Sequence, residues 1–109
     1  MLKCESRLDC VFHALSDPGR RSMIDRLAVG PASLGQLAAP LAMSLPAVQQ
    51  HLGVLERAGL VKTEKLGRVR QCRLDGDGVA FAENWLAERR LHWNRRFDRL
   101  EKHIKGDRT

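Results

Sequence analysis

Two neighbouring glutamines, Gln49 and Gln50, carry side chains that are well suited to recognising a specific ligand. A glutamine amide both donates and accepts hydrogen bonds, so it can pair with adenine in the major groove of DNA. At 100° per residue from the apolar Val48, both amides fall on the opposite side of a helix. Small residues on that side would let the helix backbone approach the bases closely. The helical face predicted to point away from the core comprises Pro46, Gln49, Gln50, Gly53 and Arg57.

The helix that carries these amides is the second of a predicted pair. Ser33 and Gln36 have the spacing of a capping box, which indicates the start of a short helix. Ser44 is a second N-cap after a turn, and Gly59 suits the C′ position of the helix that follows. This order predicts a helix-turn-helix over residues 33–59, whose second helix, the recognition helix, reads DNA. An ordinary helical hairpin in a core is the alternative.

A basic β-hairpin is predicted directly after this pair, over residues 60–74. Residues 60–64 and 69–74 alternate in polarity, with residues 65–68 between them as the turn. Basic side chains beside a recognition helix suit contacts with phosphates, whereas a solvated charged edge would only protect the hairpin from aggregation. The hairpin carries five of them: Lys62, Lys65, Arg68, Arg70 and Arg73.

Two further helices are predicted before the helix-turn-helix. The first covers about residues 6–15, and the second begins after Asp17 as N-cap and ends at Gly30. Arg20 and Arg21 fall in the first turn of the second helix, where the helix dipole disfavours positive charge. We therefore expect carboxylates on another helix or DNA phosphates as their partners.

One long helix is predicted over residues 79–104. Apolar side chains recur every seven residues at Val79, Leu86, Trp93 and Leu100. A helix of this length spans about 39 Å, which is more than a small domain covers. We expect it to pack with the first helix against a second subunit, and a helix folded over its own monomer is the alternative. The expected dimerisation residues are Leu8, Phe12, Trp85, Leu86, Trp93, Phe97 and Leu100.

Composition limits the classes of protein that the chain can represent. Its 109 residues suit a single domain, residues 1–109, and its net charge of +6 favours a polyanionic partner. Three cysteines do not form a disulfide framework, and we expect a cytoplasmic protein with reduced thiols and no membrane segment. No nucleophile–base pair or cofactor motif is present, so we expect neither an enzyme nor a cofactor. The expected fold is mainly α with a small β-hairpin: a dimeric winged helix-turn-helix of order α-α-α-α-β-β-α.

Several segments together point to a known family: FHALSDP with Arg20 and Arg21, MSLPAV, HLGVLE, AGLV, and Gly67 with Arg68. They closely resemble the ArsR/SmtB family over nearly the whole chain. The resemblance implies a homodimeric repressor that binds an inverted repeat of double-stranded DNA at its own promoter. Residues 69–74 with Trp85 and Leu86 look like the branch often encoded beside START-like proteins. The positions that the resemblance places against DNA are Ser44, Ala47, Gln49, Gln50 and His51, and the wing residues that we expect to grip the flanking backbone are Lys65, Arg68 and Arg70.

The sequence departs from the metal-sensing members that it resembles. Their thiolate site is a Cys-x-Cys motif at the start of the helix-turn-helix, where this chain has no cysteine. We therefore predict no metal site, with Cys4, Cys10 and Cys72 as weak candidates for a metalloid or thiol-redox response. Cys72 lies near Arg70 and Arg73 in the sequence, where a thiolate would be favoured. The effector stays open, and a winged-helix module that binds proteins and no DNA is a further alternative.

Overall fold

The computed structural model describes residues 6–106, with side chains described as far as residue 104. Within this range the chain forms five α-helices, a 3₁₀ turn and three β-strands. The helices are α1 (Arg7–Leu15), α2 (Pro18–Val29), α3 (Leu34–Ala38), α4 (Leu45–Arg57) and α5 (Gly76–Gly106), with the 3₁₀ turn at Ala39–Leu41. The strands are β1 (Ala32–Ser33), β2 (Val61–Leu66) and β3 (Val69–Leu74).

Side-chain caps fix the starts of the first four helices. The side chains of Ser6, Asp17, Ser33 and Ser44 each accept a hydrogen bond from the backbone N–H three residues further on. Gln36 completes the predicted capping box, because its Oε1 accepts from the backbone N–H of Ser33 at 2.9 Å. Each such cap contributes about 1 kcal/mol to helix stability. The predicted starts of α2, α3 and α4 are therefore confirmed.

The helix-turn-helix packs on a core shared by α1, α2 and the sheet. Val48, Leu52 and Leu55 of α4 are at most 3% exposed, which confirms the predicted apolar face. Burying side chains of this size contributes about 1.5–3 kcal/mol each. Their partners in the core include Val11, Ala14, Met23, Leu27, Leu37, Leu60 and Cys72.

The sheet has one strand more than the sequence indicated. β3 lies between β1 and β2, and both pairings are antiparallel. A strand as short as β1 shows no alternation of polarity that could reveal it. The hairpin is also longer than expected, since β2 continues to Leu66 and only Gly67 and Arg68 form the turn. Gly67 has φ +64°, which suits a glycine at the first central position of a two-residue hairpin turn.

The predicted start of the long helix at residue 79 is wrong, because α5 already begins at Gly76. The Asp75 side chain accepts a hydrogen bond from the backbone N–H of Asp77, and the Asp77 carboxylate lies in the first helical turn, where the dipole favours it. Gly78 is required there, because a Cβ atom at this position would collide with the backbone of Gly59. The helix therefore starts against the end of α4, which a sequence pattern does not reveal.

Two parts of the described chain differ in burial, and we call residues 6–85 the body and residues 86–104 the distal helix. Ala82 is the last buried apolar side chain and Trp85 the last half-buried residue, whereas every residue of the distal helix is exposed. The molecule consequently measures 72 × 29 × 24 Å. Thus α5 does not fold back over its own monomer. No helix within residues 6–106 has the length and hydropathy to span a membrane.

Candidate nucleic-acid interface

The exposed face of α4 presents the two amides that the sequence singled out. Gln49 and Gln50 are exposed, and neither side chain makes a hydrogen bond within residues 6–106. Ala47 is half-buried, and Ser44 is exposed with its Oγ accepting a hydrogen bond from the Ala47 backbone N–H at 3.3 Å. The N-terminal half of α4 therefore offers free amide groups beside small side chains, as close contact with base edges requires.

The hairpin, or wing, is held beside α4 by short-range contacts. Gly59 ends the helix region with φ +74°, and the Leu60 carbonyl accepts a hydrogen bond from the Asp75 backbone N–H at 2.8 Å. The Thr63 hydroxyl donates to Glu56 Oε1 of α4 at 3.4 Å. These contacts fix the base of the wing relative to the exposed face of α4.

Two of the basic side chains on the wing already have partners inside the protein. Lys62 Nζ lies 3.9 Å from Asp75 Oδ2, and Arg73 Nη2 lies 3.3 Å from Glu64 Oε1. These carboxylates offset the two positive charges. Lys62 and Arg73 are therefore the weaker candidates for phosphate contacts.

The other three basic residues of the wing form a cluster without carboxylates. Lys65, Arg68 and Arg70 are exposed and make no ion pair with any residue that the structure describes. Lys65 and Arg70 lie directly opposite each other in the β2–β3 register, and with Arg68 and Thr63 they line an open groove. Like charges that face each other across a hairpin destabilise it. An anionic partner would remove that repulsion, so the cluster is suited to a phosphate backbone.

His51 occupies a different position from the other predicted recognition residues. Its side chain is 22% exposed, and its Nδ1 lies 3.2 Å from Nη1 of Arg20 and 3.9 Å from Oδ2 of Asp17. Its Nδ1 therefore has a partner within the protein, whereas the amides of Gln49 and Gln50 have none in the described chain.

Among the described residues, Arg20 and Arg21 bind backbone carbonyls and not the expected carboxylates of another helix, and a contact with DNA phosphates stays a prediction. Arg20 donates to the carbonyl oxygens of Ala14 and His13, and Arg21 donates to that of Leu15 at 2.7 Å. Carbonyls at the C-terminal end of a helix lack intrahelical donors and carry partial negative charge. The start of α2 therefore caps the end of α1.

The carboxylate of Asp17 completes this junction. The hydrogen bond from the Arg20 backbone N–H lowers the pKa of Asp17, and the positive charge of Arg20 lowers it further, while burial opposes the shift. Gly19 leaves the space that these groups need, because a Cβ atom there would lie 2.9 Å from both Asp17 Oδ2 and Met43 Cε. Asp17 is thus held in its charged form at the start of α2, beside His51 of α4.

The structure contradicts the expectation of a thiolate at Cys72. Its side chain is fully buried in the core, and burial raises its pKa, to which Glu56 adds. Strand alternation places Cys72 inward, so the positive charge of Arg70 does not outweigh the loss of water. Cys10 is half-buried on α1 and is disulfide-bonded, so the expectation of reduced thiols is wrong for this residue. Cys4 lies outside the described residues, and no three His, Cys, Asp or Glu residues within residues 6–106 are grouped for a metal ion.

The residues predicted for dimerisation divide between the body and the distal helix. Leu8 is half-buried on α1, and Phe12 contacts Trp85 edge to face with 5.6 Å between the ring centroids. This contact joins α1 to α5 within one chain. Phe12 is still 39% exposed, so α1 and α5 present a common apolar surface.

The distal helix presents an apolar stripe with no cover. Trp93 and Phe97 contact each other edge to face at 4.9 Å, and Arg96 borders the groove beside them. The exposed fractions are 52% for Leu86, 58% for Trp93, 52% for Phe97 and 54% for Leu100. Solvent-exposed aromatic rings in a row indicate a surface that another molecule covers.

A three-helix core with a helix-turn-helix, a basic wing and an exposed polar face on α4 defines a winged helix-turn-helix DNA-binding protein. A family model described as a helix-turn-helix domain matches residues 15–64. Over 72 residues the chain is 46% identical to the HTH-type transcriptional regulator Rv2034 of Mycobacterium tuberculosis, covering 66% of this chain and 67% of that protein. Over 76 residues it is 30% identical to the transcriptional repressor SdpR of Bacillus subtilis, covering 70% of this chain and 84% of that protein.

Solved structures agree with these relatives. An ArsR family transcriptional regulator matches with a TM-score of 0.77 and 40% identity, covering 82% of this chain and 98% of that chain. A homodimeric winged helix-turn-helix DNA-binding domain from Mycobacterium bovis matches with a TM-score of 0.63 and 26% identity, covering 78% and 82%. The chain belongs to the ArsR family of transcriptional regulators, as its sequence motifs predicted. Its relatives are named as regulators of transcription, in agreement with the prediction that it is not an enzyme.

Proposed function

We propose that the protein is a homodimeric repressor that binds an inverted repeat of double-stranded DNA at its own promoter. The observation that carries this proposal is that two neighbouring elements, α4 and the wing, each expose polar or basic side chains without partners among the described residues. Gln49 and Gln50 have no internal partners on α4, and the basic cluster Lys65, Arg68 and Arg70 has none on the wing, as far as the described residues extend. Amides can read base edges in the major groove, while the wing cations hold the flanking phosphates.

The assignment of individual residues follows from their exposure. We assign base reading to Gln49 and Gln50 and close backbone approach to Ala47 and Ser44. Lys65, Arg68 and Arg70 grip the phosphate backbone. The start of α4 also favours an anion, since the positive end of its dipole points toward this surface.

A dimer with two-fold symmetry would suit an operator that is an inverted repeat. Each chain has one recognition helix, so two chains related by a two-fold axis would read two half-sites of opposite direction. The solved relative from Mycobacterium bovis is described as homodimeric. The exposed stripe of Trp93, Phe97 and Leu100, with Phe12 and Trp85 beside it, is the surface that a second copy would cover. The likeness to the branch encoded beside START-like proteins stays a prediction, and the effector stays open.

Selection from a library of random-sequence DNA duplexes tests this proposal, because the protein itself picks out its operator sequence. The wild-type protein should enrich a sequence with two-fold symmetry, and half-sites about 10 base pairs apart or a multiple of that spacing. The selected duplex should also match a sequence upstream of the gene for this protein. Enrichment of no sequence would contradict the proposal, and a selected site without symmetry would contradict the dimer.

A further inference from the structure

The guanidinium group of Arg20 is buried although it carries a full charge. Arg20 is 9% exposed, and three of its nitrogen atoms have partners in the protein. Nε donates to the Ala14 carbonyl oxygen at 2.7 Å and Nη2 to the His13 carbonyl oxygen at 3.1 Å. A buried charge is retained only where its hydrogen bonds are satisfied. Arg20 is thus anchored firmly on the C-terminal end of α1.

The third contact of the Arg20 guanidinium group is with α4. Nη1 of Arg20 lies 3.2 Å from Nδ1 of His51, which directly follows Gln50 in the sequence. Arginine can only donate hydrogen bonds, so Nδ1 of His51 must accept with its lone pair. The ring is therefore neutral in this arrangement, with its proton on Nε2. Asp17 Oδ2, at 3.9 Å from Nδ1, is too distant for a hydrogen bond.

The surroundings leave the His51 ring little freedom to turn toward DNA. A Cβ atom on Gly19 would lie 3.8 Å from His51 Nε2 and 2.9 Å from Met43 Cε. The ring therefore lies next to Gly19 of α2, against which Met43 of the turn before α4 also packs. A rotation of α4 about its axis would move Nδ1 of His51 away from Nη1 of Arg20.

We propose that Arg20 is a positioning residue for DNA recognition, which sets the orientation of α4 through Nδ1 of His51. His51 then acts by this internal contact and not by reading a base. The inference rests on the proposed DNA-binding function and assigns a different role to one residue that sequence resemblance placed against DNA. The contact orients Gln49 and Gln50, because they precede His51 on the same helix.

Two amide variants separate the internal contact from a contact with DNA. In His51→Asn the amide oxygen occupies the position of Nδ1 and can accept from Arg20, whereas in His51→Gln the amide extends to the position of Nε2. The probes are the duplex selected by the wild-type protein and a scrambled duplex of the same composition. We expect His51→Asn to bind the selected duplex within about threefold of wild type. We expect His51→Gln to bind it at least about tenfold more weakly, with little change on the scrambled duplex.

The reverse order of affinities would overturn the proposal, since it would place Nε2 against DNA. Wild-type affinity of both amide variants and of His51→Leu would also overturn it, because the ring would then position nothing. Arg20→Gln should weaken binding to the selected duplex to about the same degree as His51→Gln. Its thermal unfolding by circular dichroism shows whether it has folded, and the His51 variants decide the question if it has not.

A measurement on free wild-type protein tests the contact without DNA. The ¹⁵N chemical shifts of the His51 imidazole at neutral pH should show a protonated Nε2 and an unprotonated Nδ1 that accepts a hydrogen bond. A proton on Nδ1 would overturn the proposal. If selection enriches no DNA sequence, the proposed function fails, whereas the shifts still decide whether Arg20 holds His51.

Discussion

The body and the distal helix differ in where their apolar side chains lie. In the body, Leu55 and Val48 are fully buried, and the caps of four helices are satisfied. In the distal helix, Trp93 and Phe97 are more than half exposed. Most helical stability in proteins comes from packing of an apolar face, and an uncovered helix is marginal. The comparison shows that the body has its own apolar core, whereas we expect the distal helix to depend on a second subunit.

The largest expected effect concerns the distal helix. Phe97→Ala should dissociate the dimer, because a buried Phe→Ala costs about 3–5 kcal/mol and each dimer loses two copies. Sedimentation at micromolar concentration measures the effect. Val29→Ala is the control, since Val29 is 86% exposed on α2 and lies outside the proposed interface. A fully dimeric Phe97→Ala would place the dimer interface elsewhere.

A smaller effect is expected in the body, and it should not depend on protein concentration. Leu55→Ala should lower the free energy of unfolding by about 2–5 kcal/mol, since it leaves a cavity in the core. Leu45→Ala in the same helix is the control, because Leu45 is 51% exposed and its loss should cost less than about 0.5 kcal/mol. Urea unfolding measures both variants. Equal losses in the two variants would show that α4 does not pack as described.

Two substitutions in the body should separate base reading from backbone grip. Gln50→Ala should cost about 1–3 kcal/mol on the selected duplex and little on a scrambled one, because only the former presents the matching base. Arg68→Ala should weaken binding to both duplexes alike, since phosphates are the same in every sequence. Fluorescence anisotropy with both duplexes measures the difference. If Gln50→Ala lost the same affinity for both duplexes, α4 would not be the recognition helix.

The smallest effect concerns Asp17, whose side chain is 33% exposed. Hydrogen bonding from the Arg20 backbone N–H lowers its pKa in the folded protein, so the charged form contributes stability above the unfolded pKa of about 3.9. That contribution is lost as pH falls through the lower folded pKa. Asp17→Asn keeps an N-cap but does not titrate, so its unfolding free energy should fall less between pH 5 and pH 2, as followed by urea unfolding at each pH. An identical pH dependence in both proteins would contradict this role for Asp17.

Local patterns were enough to predict the first four helices and the hairpin of the body. The capping box of Ser33 and Gln36 and the N-cap Asp17 determine helix starts by contacts within three residues, which a sequence displays directly. The heptad spacing of Leu86 and Trp93 also revealed a stripe that stays exposed in one chain. The two-residue strand β1 escaped prediction, because its pairing partner lies some 40 residues away in β3.

The candidate site was predictable only in its exposed parts. Gln50 and Arg68 have no partners among the described residues, so their residue types alone were enough to predict a contact with a base and a contact with a phosphate. The partners of Arg20 were not predictable, since the helix dipole shows that the charge needs partners but the fold decides which carbonyls lie near it. Cys72 was misjudged for the same reason, because the neighbouring arginines are visible in the sequence and the burial of the thiol is not.

The salt dependence of DNA binding tests most directly the claim that the distal helix pairs two DNA-reading bodies. Two wings and two recognition helices should neutralise about six to ten phosphates, so the log–log slope of affinity against salt should be about −5 to −9 for the wild type on the selected duplex. Phe97→Ala, bound as a monomer, should show about half that slope. A wild-type slope shallower than about −2, or the same slope in both proteins, would contradict the account.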